Sequence, residues 1–232
     1  MFLLLCEFHA HTTWSDGELS LQEVVDLYGR AGFDVLCITD HTHPPGDPCE
    51  RLGIRPKRQP AYFAAIEREA ERAWPQHGLL VLPGLELTDN APDPDSAAHV
   101  LAVGLRTPVS LARGIESGMA SAREAGAVIV AAHPAGPEGG PGSTRRLWRE
   151  REAFHELIDR WELINGHTAF PWVADARLPV VANGDFHRLE HLATWKTLLP
   201  SEHDEEAILD FLRSRARAHL TVFDPVPKSV AA

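Results

Sequence analysis

Cysteine is scarce in this chain. It has three, Cys6, Cys37 and Cys49, an odd number with neither metal-type nor redox-type spacing. That excludes a disulfide scaffold. Cys6 and Cys37 lie inside apolar runs and read as small core thiols in a reducing cytoplasm. No apolar run reaches membrane-spanning length, and Phe2–Leu5 is too short, and lacks the basic flank, for a secretory leader. Positive charge is also short: 22 Lys and Arg stand against 33 Asp and Glu, a net of −11. A nucleic-acid footprint needs a basic face, so the balance argues against that partner. The two basic clusters, 145–151 and 213–217, read as solvated helix faces. There is no internal repeat and no low-complexity linker. One domain is expected over 1–224, with a frayed tail at 225–232. At 232 residues the chain fits a single α/β barrel and needs no staples, since a chain of this size buries roughly 70% of its unfolded surface.

Histidine is what the sequence has in excess, 13 residues, and the placement matters more than the number. The apolar run Leu3–Phe8 ends in His9-Ala-His11. Side chains two apart on a strand share a face, so both imidazoles can grip one cation. Asp16 follows in a Ser-Asp-Gly turn that can fold back over them. Val35–Ile38 ends in Thr39-Asp40-His41, Leu79–Leu85 in Glu86, Val128–Ala132 in His133, and Leu178–Gly184 in Asp185 and His187. Five apolar runs thus finish in a metal-type ligand, at the strand edge where parallel α/β folds assemble their sites.

Strands alternate with helical patterns, as in a parallel sheet or barrel. The expected strands are 2–8, 35–38, 79–86, 99–104, 128–132, 161–164 and 218–223. The expected helices start at Ser20, where Ser20-Leu-Gln-Glu23 forms a capping box and Gly32 a stop, and cover 60–74, 110–125, 145–159 and 203–215. Between Glu86 and His99 only turn chemistry intervenes, so a hairpin-like return should set the two side by side. Residues 42–58 form a proline-rich loop of a length that is uncommon without a task. It leaves directly from His41 and reads as an active-site flap with His43 at its root. His133–Gly142 is a second Gly/Pro-rich loop, and His167 falls at the same edge as the ligands.

The motifs His9-Ala-His11-Thr-Thr-Trp-Ser-Asp16-Gly, Ile38-Thr-Asp-His41, Pro83-Gly-Leu-Glu86, His99-Val-Leu, Ala132-His133-Pro134 and Gly184-Asp185-Phe-His187, in this order, resemble the PHP (polymerase and histidinol phosphatase) family of metal-dependent phosphoesterases. The resemblance implies a distorted (β/α)7 barrel with a trinuclear metal centre at the C-terminal edge of its strands. Carried over by residue, His9, His11, Glu86 and Asp185 would hold one ion. Glu86 would bridge to a second with His99 and His133, and Asp16, His41 and His187 would hold a third. Glu86, Asp185 and His187 are the candidate catalytic residues of that set.

Mixed imidazole and carboxylate ligation suits two or three Zn, Mn or Fe ions better than Ca or Mg. The expected activity is hydrolysis of a small phosphate ester, a nucleotide-like monoester among the candidates, by a metal-bridged hydroxide. A 3′-end exonuclease or phosphodiesterase, and a catalytically silent metal-binding regulatory domain, are the rivals. A C–N or C–O hydrolase at a similar cluster stays open, since fold does not fix function. Asp40 is expected to orient a histidine. Arg145, Arg146 and Lys196 are candidate phosphate anchors, and His43 and His167 candidate substrate contacts. The expected partner is a small phosphorylated molecule, with no membrane.

Overall fold

The computed structural model describes residues 3–93, 95–136 and 144–225. In chain order the elements begin β1 (Leu4–Glu7), α1 (Leu21–Ala31), β2 (Val35–Ile38), β3 (His41–Thr42), α2 (Gln59–His77), β4 (Leu80–Asp89), β5 (Ala98–Val103), α3 (Ile115–Glu124) and β6 (Val128–Ala131). They continue α4 (Arg145–Arg149), α5 (Arg151–Phe154), β7 (Arg160–Asn165), β8 (Thr168–Ala169), α6 (Pro171–Asp175), β9 (Val180–Asn183), β10 (Trp195–Leu199), α7 (Glu205–Arg213) and β11 (His219–Val222).

The strands curl into a distorted barrel of seven, in the order β1-β2-β4-β5-β6-β7-β9. β2 is parallel to β1 and β4, and β7 is parallel to β6 and β9, whereas β5 runs antiparallel to both its neighbours. The short connection between β4 and β5 has no helix to carry the chain across, so it can only make an antiparallel return. β10 pairs antiparallel with β1 and takes the edge that a regular barrel would give to β9. β9 therefore meets β1 only beyond the strand ends, at the single parallel bridge Ala10–Phe186. The barrel closes at the edge that carries the histidines.

Alternation along the strands sorts the core. Leu4, Cys6 and Phe8, with Val35, Cys37, Leu82, Leu101 and Val130, belong to one buried cluster, joined by Ile208, Leu209 and Leu212 of α7. Leu36, Ile38, Val81 and Leu87 belong to a second, shared with α1, α2 and α3. α1 begins at the expected capping box, Ser20 with Glu23, and stops at Gly32 in the left-handed region, where a Cβ would be strained.

Several boundaries moved. The helix expected at 145–159 breaks at Glu150, whose backbone (φ −104°, ψ 20°) leaves the helical region. The helix expected at 110–125 begins only at Ile115, after Gly114 at φ 92°. β10 was not expected at all. Lys196 and Thr197 disguise its pattern, yet both are fully buried, because each finds a polar partner inside. The tail reading for 225–232 and most of the 133–142 loop fall on 226–232 and 137–143, outside the described residues.

Candidate metal centre

The chain carries His9 and His11 out of β1 on one face. It brings His41 in beside β4, pairing His41 with Glu86, and returns through β5 with His99 one step away, opposite Thr88. His133 follows β6 and Asp185 follows β9, both with positive φ (29° and 51°). Non-glycine residues rarely adopt that conformation, and it persists where surrounding structure imposes it, chiefly at functional sites. Asp16 reaches the same spot from a tight turn. A Cβ on Gly17 would lie 2.6 Å from the His11 carbonyl, so only glycine permits that approach.

All nine predicted ligands converge. Their donor atoms form overlapping groups: His9, His11 and Glu86; His9, His133 and Asp185; Glu86, His99 and His133; and His11, Asp16, His41 and His187. Glu86 is shared. Its Oε2 lies 3.5 Å from His9 Nε2 and from His11 Nε2, while Oε1 lies 3.2 Å from His99 Nδ1 and 3.3 Å from His133 Nε2. Asp185 Oδ1 faces His9, His11 and His187 at 3.3–3.4 Å. Asp16 Oδ1 faces His41 and His187 at 3.5 and 3.4 Å.

These atoms are close but not hydrogen-bonded. His9 Nε2, both nitrogens of His11, both oxygens of Glu86, His99 Nδ1 and Asp185 Oδ1 are buried without a hydrogen-bond partner. Buried polar atoms are nearly always satisfied, and one orphan costs about 1–3 kcal/mol. Seven orphans pointing at each other match a set of ligands for divalent cations. Imidazole and carboxylate together fit Zn²⁺, Mn²⁺ or Fe²⁺.

Electrostatics point the same way. Burial opposes a charge on His9, but Asp185, Glu162 and Glu86 outweigh it and hold its pKa well above the usual value. The same contest, won by Glu86 and Asp16, pushes His41 up to about 10. Burial wins at His11 and His99, helped by neighbouring imidazoles, and lowers them to about 3 and about 4. Burial would raise Glu86 and Asp185, yet the surrounding histidines keep both well below the carboxylate range. The buried carboxylates draw positive charge inward.

The second nitrogens of three rings are held, that of His41 also facing Glu86 Oε2 at 2.7 Å. His9 Nδ1 lies 2.9 Å from Glu162 Oε1, His41 Nδ1 2.8 Å from Thr88 Oγ1, and His99 Nε2 3.0 Å from Asn90 Oδ1. Such partners fix ring orientation and raise ligand basicity. Sequence reasoning missed Glu162, Thr88 and Asn90. The signal for Glu162 was an acidic residue inside the apolar strand Trp161–Ile164, finishing at the ligand-bearing edge; Thr88 and Asn90 had none.

Other expectations need correction. Asp40 orients no histidine among the described residues. It accepts from Thr12 N and Oγ1 and Ser15 N and Oγ, and so pins the turn that delivers Asp16. Burial, opposed by those donors, raises its pKa to about 6. Lys196 is no phosphate anchor, because it is fully buried against Glu7. Arg145 pairs with Asp95, and Arg146 with Glu116 and Glu150. His167 is exposed at the β7–β8 turn and outside every donor group. The His43 ring centre lies 5.5 Å from that of His41, tilted by 30°, with Nδ1 on the Thr88 carbonyl. The 42–58 loop is tethered rather than free: Asp47 accepts from Asn90 N, and Ile54 N donates to the His41 carbonyl.

Fold and donor set define an α/β barrel with a candidate polynuclear metal centre at its C-terminal edge. The fold is that of PHP-like metal-dependent phosphoesterases. A two-domain protein from Bacteroides vulgatus, containing a predicted PHP-like metal-dependent phosphoesterase, superposes with TM-score 0.72 at 24% identity, covering 95% of this chain. The chain spans 65% of that protein's length. A putative metal-dependent phosphoesterase from Bifidobacterium adolescentis matches at TM-score 0.51 and 19% identity, covering 79% of this chain and 87% of its own. An amidohydrolase from Chromobacterium violaceum with bound sulfate and no metal matches at TM-score 0.53 and 14% identity, with 78% and 87% covered. No family model matches the sequence, and no curated protein matches it.

Proposed function

We propose that this chain is a metal-dependent hydrolase of phosphoric esters, acting on a small phosphorylated substrate. The observation that carries the reading is the set of buried, unpartnered donor atoms around Glu86. A folded chain leaves such atoms orphaned only where something else satisfies them. Names carried by two fold neighbours, predicted and putative phosphoesterases, support the reaction class.

His9, His11, Glu86 and Asp185 would hold one ion, Glu86, His99 and His133 a second, and Asp16, His41 and His187 a third. When bound, the cations supply Lewis acidity toward phosphoryl oxygens and lower the pKa of water. The chain does the remaining work. Glu86, with no exposed surface, presents one oxygen to each side and fixes the separation of the two groups it serves. Glu162, Thr88 and Asn90 lock the rings of His9, His41 and His99, so no reorganisation is needed when charge develops on the substrate. Asp16, Asp185 and His187 are the more open ligands, with side chains 33%, 24% and 25% exposed. A phosphate group reaches the centre across this rim. The net charge of −11 favours a small substrate over a polynucleotide.

Turnover of p-nitrophenyl phosphate with added Mn²⁺ or Zn²⁺, abolished by chelator and restored by metal, is the expected result. Metal analysis on protein purified without chelators should find two or three ions per chain. A DNA 3′-end substrate and an amide substrate, the latter prompted by the amidohydrolase neighbour, belong in the same assay. Activity on either without activity on phosphate esters would overturn the proposal, and so would metal binding without any turnover.

A further inference from the structure

We infer that the buried Glu7–Lys196 pair is a positioning device, holding His9 and Asp185 in register across the seam where the barrel lacks a strand ladder. This rests on reading the cluster as a catalytic metal centre.

The seam lies between β1 and β9. β10 occupies the β1 edge, so no ladder ties the last residues of β1 to those of β9. Yet His9, just beyond β1, and Asp185, just beyond β9, place Nε2 and Oδ1 within 3.3 Å of each other. Two backbone hydrogen bonds of the Ala10–Phe186 bridge cross the seam beyond these residues, Phe186 N to the His9 carbonyl and His11 N to the Phe186 carbonyl. The Glu7 carboxylate adds a tie on the strand side of that bridge. Its Oε1 accepts from His9 N at 3.2 Å and from Gly184 N at 3.0 Å, the backbone groups of one candidate ligand and of the residue before the other. One side chain thus extends that lone bridge toward the strands, at the point where the two candidate ligands meet.

An unpaired carboxylate there would be costly to bury. Lys196, from β10, neutralises it: Nζ donates to Glu7 Oε2, to Thr194 Oγ1 at 2.9 Å and to the His191 carbonyl at 3.4 Å. Tyr28 OH also donates to Oε2, at 3.3 Å. Glu7, Lys196 and Tyr28 have no exposed surface, so no substrate reaches them. The pair is packed against the chain that delivers Asp185. A Cβ on Gly184 would fall 2.1 Å from Lys196 Nζ and 2.7 Å from Glu7 Oε2. Buried ion pairs are weak contributors to stability, and apolar replacements of similar volume are often neutral. An arrangement spanning three strands and ending on two ligand backbones is better explained by geometry than by stability.

The test separates charge from acceptor. Glu7→Gln with Lys196→Met removes both charges but keeps Oε1 as an acceptor; Glu7→Leu with Lys196→Met removes the acceptor too. Both proteins, and the parent, are loaded with Co²⁺ and compared by visible ligand-field absorption, metal stoichiometry and kcat on an aryl phosphate. The Gln/Met double variant should keep the parent spectrum, with kcat within about fivefold. The Leu/Met variant, folded by circular dichroism, should show an altered spectrum and lose about 10–100-fold in kcat with little change in KM, the range seen when partners of metal ligands are removed. Parental spectrum and kcat in the Leu/Met variant would overturn the inference, as would equal losses in both. If the Leu/Met protein does not fold, Glu7→Asp decides. It keeps the charge but withdraws the oxygen by one methylene, and a parental spectrum would then refute the positioning role. A parent that binds Co²⁺ without hydrolysing phosphate would sink the proposed function alone, leaving the spectra to decide this question.

Discussion

Glu86 is the residue on which the centre turns, because each of its oxygens faces a different group of imidazoles. Glu86→Gln puts an amide nitrogen among buried histidines and loosens both groups together. It should lower phosphatase kcat by more than about 100-fold, with a matching loss of bound metal by elemental analysis. Retained activity would remove Glu86 from the mechanism. The histidines carry a second expectation. In the metal-free protein His41, at about 10, and His9, also raised, hold protons at neutral pH, whereas His11 and His99, near 3 and 4, are already neutral. Cation binding must displace the protons on His41 and His9, and any that His133 and His187, also raised, carry; it should release about two or more per chain at pH 7.5, read by calorimetry in buffers of different ionisation heat. Because the folded-state pKa of His41 is raised, its protonation stabilises the metal-free fold fully below about pH 6.5, the unfolded value. That contribution is lost as pH rises toward 10. Metal-free protein should therefore weaken from pH 7 to 10, and metal-loaded protein should weaken less.

Among the elements, single side chains help tie down the 42–58 loop and α7. Asp47 binds Asn90, and Asn90 binds the His99 ring, so the loop is linked to a candidate ligand through one asparagine. Asp47→Ala should lower metal affinity at the Glu86–His99–His133 group by about tenfold, measured by competition with a chromogenic chelator, while leaving the fold intact. Unchanged affinity would show that the tether serves the loop alone. At the other end of the barrel, fully buried Arg160 donates to the carbonyls of Phe211, Leu212, Ser214 and Ala216, where the chain leaves α7. Arg160→Met takes that donor from the Leu212, Ser214 and Ala216 carbonyls and should cost about 3 kcal/mol, visible as a lower urea midpoint, with metal content unchanged because the candidate centre lies at the opposite strand ends.

For the molecule as a whole, the centre is also the closure of the barrel. β1 and β9 meet beyond their ends, at the Ala10–Phe186 bridge, and ligands from both sides of that seam share the cluster. Cations would bind the folded state only, and at 1,000 times the dissociation constant that adds about 4 kcal/mol. For a domain of this size the melting temperature should rise by about 8–16 °C on loading, at about 2–4 °C per kcal/mol. A differential scanning experiment with and without chelator checks this; coincident curves would detach metal from folding. No helix among the described residues is long and apolar enough to cross a membrane.

The strand-end donors were legible in the sequence because each closes a short apolar run and the strand period of two fixes which side chains share a face. The capping box at Ser20, the stop at Gly32 and the return from Glu86 to His99 were legible for equally local reasons. Local pattern could not reach Lys196, a buried cation in a strand that reads as polar, nor Asp40, whose partners lie 25 and 28 residues away. Glu7, Asn90 and Glu162 acquire their roles only when strands distant in the chain are brought side by side. Sequence determined which donors stand at the strand ends. Tertiary structure decided how they are aimed and which go unpaired, because orientation depends on hydrogen bonds and burial that exist only once the barrel has closed.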